Sequence, residues 1–144
     1  MNTWTHEEIE QHRAAFLAAL RSGKYIQGFG SLAQLNDTMQ YCCLGVACSV
    51  AMHDGVVTRQ KYFEQPIFKY GVLDKEDWST GVLPSAVMDW LGIASNDPIL
   101  VQDARNTDPL NKTLTAVMLN DDLKLPFPQI ADLFEYFFAN GGAA

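Results

Sequence analysis

Residues 44–52 read Leu-Gly-Val-Ala-Cys-Ser-Val-Ala-Met, small or apolar throughout, and no charge interrupts the run before Asp54-Gly55. A helix that is apolar on every side must be buried, and no other stretch constrains the fold as strongly. The run predicts a buried helix with Gly55 near its end. An amphipathic helix is predicted over 5–22. Thr5 and Glu8 have the spacing of a capping box, in which the hydroxyl accepts from the Glu8 amide and the carboxylate returns to the cap. Acids at 7, 8 and 10 suit the positive end of the helix dipole, and Ile9, Phe16, Leu17 and Leu20 recur at helical spacing. Arg21 in the last turn and Gly23 after it supply the stop.

Between these helices, 24–30 predicts a short strand ending at glycines, Asn36-Asp37 a turn, and 39–42 a second short strand. Further on, 68–73 alternates weakly and Asp74-Lys75-Glu76-Asp77 reads as an exposed turn. Pro84 at its first position and Gly92 past its end delimit a short helix over 83–92. A polar loop covers 94–111, with an edge strand at Ile99-Leu100-Val101, and 113–119 predicts another helix. Pro126-Phe127-Pro128 opens a last helix carrying Ile130, Leu133, Phe134, Phe137 and Phe138, and the Gly141-Gly142-Ala143-Ala144 tail is expected to fray. No repeat or linker divides the chain. The expectation is one α+β domain over 1–144, mainly helical, with a small antiparallel sheet.

At 144 residues, 48% hydrophobic and 11% aromatic, the chain can bury a real core. Ten Lys and Arg against seventeen Asp and Glu leave a net charge of -7. Residues 1–72 hold six of each sign, while 73–144 hold four basic and eleven acidic side chains. Without a broad basic face, direct binding of nucleic acid is not expected. Asp74, Glu76, Asp77, Asp121 and Asp122, with the acids at 89, 97, 103 and 108, would instead form a negative surface for a basic partner protein, or simply a solvated one. No apolar run approaches the ~18 residues that span a bilayer, and Met1-Asn2-Thr3-Trp4 does not open a signal peptide. A cytoplasmic chain with no membrane partner is expected.

Cys42, Cys43 and Cys48 are odd in number and lack C-x2-C spacing, so neither a disulfide framework nor a metal site is expected. Cys43 or Cys48 with His53 as base is a candidate thiol nucleophile; core packing is the competing reading, since burial raises a thiol pKa. Gly28-Phe29-Gly30-Ser31-Leu32-Ala33 fits G-x-G-x-x-[GA], but no buried strand precedes it, and turn glycines are the simpler reading. Asp121-Asp122 and Glu76-Asp77 are paired acids with nothing to place them across a cleft. A ligand pocket is conceivable at Lys24, Tyr25, Gln27, Gly28, Phe29, Gly30 and Tyr41, where aromatic rings would stack a base and backbone amides would cradle a phosphate. No cofactor is implied.

Several pieces of the chain carry a resemblance: residues 19–25 (Ala-Leu-Arg-Ser-Gly-Lys-Tyr) with Gln27-Gly28; residues 41–48 (Tyr-Cys-Cys-Leu-Gly-Val-Ala-Cys); Leu83-Pro84 and Trp90-Leu91-Gly92; Leu119-Asn120-Asp121; and Phe127 with Ile130-Ala131-Asp132-Leu133. In this order they resemble a group of small uncharacterised proteins encoded by tailed bacteriophages and prophages. The group brings no activity and no catalytic residue. It implies a phage accessory protein in a bacterial host's cytoplasm, by an analogy of lifestyle alone. The expectation that follows is a non-enzymatic counter-defence factor binding a host protein stoichiometrically through the acidic second half. A sponge for a nucleotide-derived immune signal, using the Lys24–Gly30 segment and aided by a homo-oligomer, is the second reading. A small thiol-dependent enzyme is the third.

Overall fold

The computed structural model describes residues 3–102 and 113–141. In chain order the elements are α1 (His6–Arg21), β1 (Ala33–Leu35), β2 (Met39–Tyr41), α2 (Cys43–His53), β3 (Thr58–Lys61), β4 (Ile67–Gly71), α3 (Ser85–Leu91), β5 (Ile99–Gln102), β6 (Thr113–Thr115), α4 (Ala116–Asp121) and α5 (Phe127–Ala139).

The apolar run becomes α2, and Cys43, Leu44, Gly45, Val46, Ala47, Cys48, Ser49 and Ala51 are all buried on it. Helices α1, α3 and α4 and strand β2 pack against it. Its small residues permit that closeness: a Cβ on Gly45 would stand 1.7 Å from the Leu32 carbonyl oxygen. Cys42 caps its start, Sγ accepting from the Gly45 amide at 3.4 Å, and Gly55 in the left-handed region (φ +80°) follows its end.

Helix α1 begins with the capping box, the Glu8 amide donating to Thr5 Oγ1 at 3.1 Å and the Thr5 amide to Glu8 Oε1 at 2.9 Å. Its buried stripe is His12, Phe16 and Leu20. Phe16 meets Phe134 of α5 edge-on at 4.9 Å, and Arg21 reaches Asp132 and Glu135 of the same helix at 2.8 and 2.9 Å. Tyr70 of β4 is fully buried, its hydroxyl 2.9 Å from Ser49 Oγ on α2.

The strands form two antiparallel sheets rather than the single one expected, one ordered β2-β1-β4-β3 and the other β5-β6. Among the described residues helix takes 41% and strand 19%, the composition of a small α+β domain in which helix is not a majority. Three local expectations also change. Residues 24–30 do not form a strand; only Gln27 bridges to Tyr41, before Gly30 turns the chain at φ +93°. The glycine motif then runs into β1 and not into a helix, which removes the dinucleotide-fold context. Residues 113–119 are not one helix: Thr113–Thr115 pair with β5, and Thr115 Oγ1 then caps α4 by accepting from the Met118 amide at 3.3 Å. Pro84 occupies the cap position of α3, one place earlier than the first helical residue. Residues 103–111 of the polar loop and the tail at 142–144 lie outside the described residues. Among the described residues no helix is long and apolar enough to cross a membrane.

Candidate functional site

The segment expected to hold a ligand is tied down by one side chain. Asn120 on α4 is fully buried. Its Oδ1 accepts from Gln27 Nε2 at 2.9 Å and from the Cys43 amide at 3.2 Å; its Nδ2 donates to the Gly28 carbonyl at 2.9 Å and to Asp121 Oδ1 at 2.8 Å. Gln27 Nε2 also donates to the Leu125 carbonyl at 2.8 Å, and the Gly28 amide donates to the Tyr41 carbonyl at 2.7 Å. Tyr25 and Tyr41 meet edge-on at 5.1 Å, and the exposed Phe29 ring lies 4.6 Å from Lys124 Nζ. Lys24 is exposed. The structure therefore brings Gln27, Gly28, Tyr25 and Tyr41 together, but Gln27 Nε2 and the Gly28 backbone already serve as bonds inside the protein.

The thiol pair is not assembled. Cys42, Cys43 and Cys48 are buried. Burial pushes the Cys42 thiol up to about 12 and raises Cys43 and Cys48 as well. His53 is exposed at the far end of α2, ten residues beyond Cys43 and five beyond buried Cys48, or ~15 and ~7.5 Å along a helix axis. The expected acidic patch is divided among elements. Asp74, Glu76 and Asp77 lie on the exposed turn after β4, where the Asp77 carboxylate accepts from the Ser85 amide and so caps α3 in place of Pro84. Asp121 and Asp122 end α4, and Asp97 accepts from the Val117 amide at 2.9 Å.

A cleft that no sequence motif announced opens between α1, the end of α2 and α3. Its volume is about 500 Å³, and Trp4, Glu8, Gln11, His12, Ala15, Val50, His53, Asp54 and Trp90 line it. His12 Nδ1 lies 2.7 Å from the Trp90 carbonyl. A carbonyl only accepts, so Nδ1 carries the hydrogen and Nε2 is left facing Asp54 Oδ2 at 3.7 Å. Trp90 Nε1 donates to that same oxygen at 2.9 Å. The His12 ring stacks on Trp90 with centroids 4.5 Å apart, and Trp4 meets it edge-on at 4.7 Å.

The next residue of α1 turns the other way. Arg13 Nε donates to the Leu91 carbonyl at 2.8 Å and Nη2 to the Gly92 carbonyl at 3.0 Å. His12 and Arg13 thus satisfy three successive carbonyls at the end of α3, where Gly92 at φ +68° turns the chain. Two smaller hollows of about 280 Å³ each continue the cleft. The first shares Trp4 and Asp54 with it, and the second shares Ala86 and Asp89 with the first. Through these shared residues the three hollows follow one another as a trough past the Asp54-Gly55 corner onto α3, and Asp77 borders the last of them.

The main cleft has the carboxylates of Glu8 and Asp54 and the half-buried Trp4 indole at its surface, over a floor of buried His12 and Trp90. Glu8 is held below the usual carboxylate range, chiefly by the Thr5 amide. Among the described residues its lining holds no Ser, Thr, Cys or Lys, and no group of three His, Cys, Asp or Glu is arranged to bind a metal ion. One signal for it was present in the sequence, because His12 occupies a place in the stripe shared by Phe16 and Leu20. Trp4, Asp54 and Trp90 are joined only by the fold. No curated protein and no solved structure matches the chain. One family model does, over residues 7–138, a span that runs from α1 to α5 and takes in His12, Asp54, Trp90 and Asn120; the chain belongs to the family described as a domain of unknown function, DUF8296.

Proposed function

We propose that this protein is a binding factor without catalysis of its own and that it holds its partner at the Trp4–His12–Trp90 cleft. The observation that carries this reading is the cleft itself, a concave site with aromatic walls and a few fixed polar groups. The burial of all three thiols supports it by removing the nucleophile the sequence offered. The resemblance to small phage proteins favours a host protein as the partner, bound one-to-one in a bacterial cytoplasm to blunt a defence. Nothing specific favours the nucleotide sponge, because Gln27 and Gly28 are engaged by Asn120, Leu125 and Tyr41.

Native mass spectrometry of the protein recovered from host lysate tests the reading. Wild type is expected to carry an added mass, and Trp4→Ala, folded by circular dichroism, is expected to lose it. Retention of the same mass by the variant would place the partner elsewhere.

A further inference from the structure

We infer that the trough takes a basic, extended segment of another protein, with an arginine or lysine side chain seated against Asp54. The inference rests on the cleft being the binding site and adds the chemistry of what fills it. Three observations lead there. First, the charges in the trough are one-sided. Glu8, Asp54 and Asp77 line it, against Lys75 as its one Lys or Arg among the described residues. His12 and His53 are its other basic groups. Arg13, the cation nearest on α1, is directed into the Leu91 and Gly92 carbonyls and under Phe138, whose centroid is 4.6 Å from the guanidinium. An anionic ligand would meet carboxylates with no Lys or Arg in the main cleft.

Second, Asp54 is prepared to receive a donor. Its side chain is 51% exposed, and both its contacts, from Trp90 Nε1 and His12 Nε2, fall on Oδ2. Oδ1 is left for an incoming N–H, beside the half-buried Trp4 indole, whose π system favours cations. Third, the shape fits a chain. Three neighbouring hollows of about 500, 280 and 280 Å³ exceed one ammonium or guanidinium, and their shared lining leads from α1 across the Asp54 corner to α3. An overall charge of -7 adds long-range attraction for such a segment.

The indole N–H signals of Trp4, Trp78 and Trp90 in a ¹H–¹⁵N spectrum provide the test, because the Trp90 N–H bonds directly to Asp54. The probe is a capped alanine peptide carrying two arginines. The same peptide with glutamates, and ATP, serve as anionic controls. The arginine peptide is expected to shift the Trp90 and Trp4 signals more than that of Trp78, whose N–H bonds to the Lys75 carbonyl at the far end of the trough, and to weaken as salt rises from about 50 to about 500 mM. Asp54→Asn keeps an acceptor for the Trp90 N–H but removes the charge, and is expected to weaken the peptide about tenfold, equivalent to about 1.4 kcal/mol. Should that variant fail to fold, Glu8→Gln removes a charge while keeping the capping box and is expected to weaken the peptide in the same direction.

A response to ATP in place of the arginine peptide would overturn the basic-segment assignment and leave the cleft as a binding site. No indole response to any probe would also overturn it, whereas the cleft reading fails separately, on retention by Trp4→Ala. An arginine-peptide response unchanged by both charge variants would overturn it too.

Discussion

Asn120 joins four parts of the chain from a side chain with no exposure: Gln27, Gly28, the amide of Cys43 and its own neighbour Asp121. All its donors and acceptors are used. Asn120→Ala would strip the partner from the Cys43 amide and the Gly28 carbonyl, each of which costs about 1–3 kcal/mol when buried and unpaired. A loss of about 3 kcal/mol is expected, read as a lower urea midpoint at unchanged m-value. Asn120→Asp should be no better, since a carboxylate cannot donate to the Gly28 carbonyl. This residue also shows where sequence reading stopped. By their neighbours alone, Asp121-Asp122 read as a pair of acids and Gln27-Gly28 as part of a ligand loop. The bond between Gln27 and Asn120 spans 93 positions, and no local pattern encodes such a meeting. His12 was more legible, as a polar residue standing in an apolar stripe.

At the scale of elements, what could be read was what is determined locally. The capping box placed the start of α1, the uncharged run placed α2, and Gly92 placed the end of α3. Strand β3 was invisible because Thr-Arg-Gln-Lys has no apolar alternation; it exists as an edge strand paired only to β4. Residues 113–115 were read as helix because their partners, Ile99 to Gln102, lie beyond any local window. Two glycines near α2 separate packing from conformation. Gly45→Ala would drive a methyl group into the backbone of Leu32, and a loss of at least about 3 kcal/mol is expected, since neither backbone can yield cheaply. Gly55→Ala meets nothing within 4 Å and suffers only from its φ of +80°, so about 1 kcal/mol is expected. Parallel chemical denaturation of the two variants checks the contrast; equal losses would mean that the approach of α2 to Leu32 is looser than the structure has it.

For the molecule as a whole, the buried thiols set an alkaline limit. Cys42 is raised to about 12 by burial, Cys43 and Cys48 are raised too, and burial likewise raises the Tyr70 hydroxyl to about 12. An unfolded thiol loses its proton near pH ~8.5. Above that pH the unfolded chain binds fewer protons than the folded one, so stability falls as pH rises, by about 1.4 kcal/mol per pH unit for each such thiol. The contribution is whole below pH ~8.5 and declines toward the folded values. A melting temperature that drops steeply above about pH 9, and less steeply in Cys48→Ala, is the expected result. A flat profile would mean that the thiols are not sealed, and would reopen the thiol-enzyme reading. The trough has its own consequence at this scale. Its floor is the joint where α1 grips the end of α3 and where Asp54, just past α2, accepts from Trp90 of α3 beside His12 of α1. Anything bound to Asp54 therefore braces three helices at once, so an occupied molecule would differ from an empty one less in shape than in stiffness.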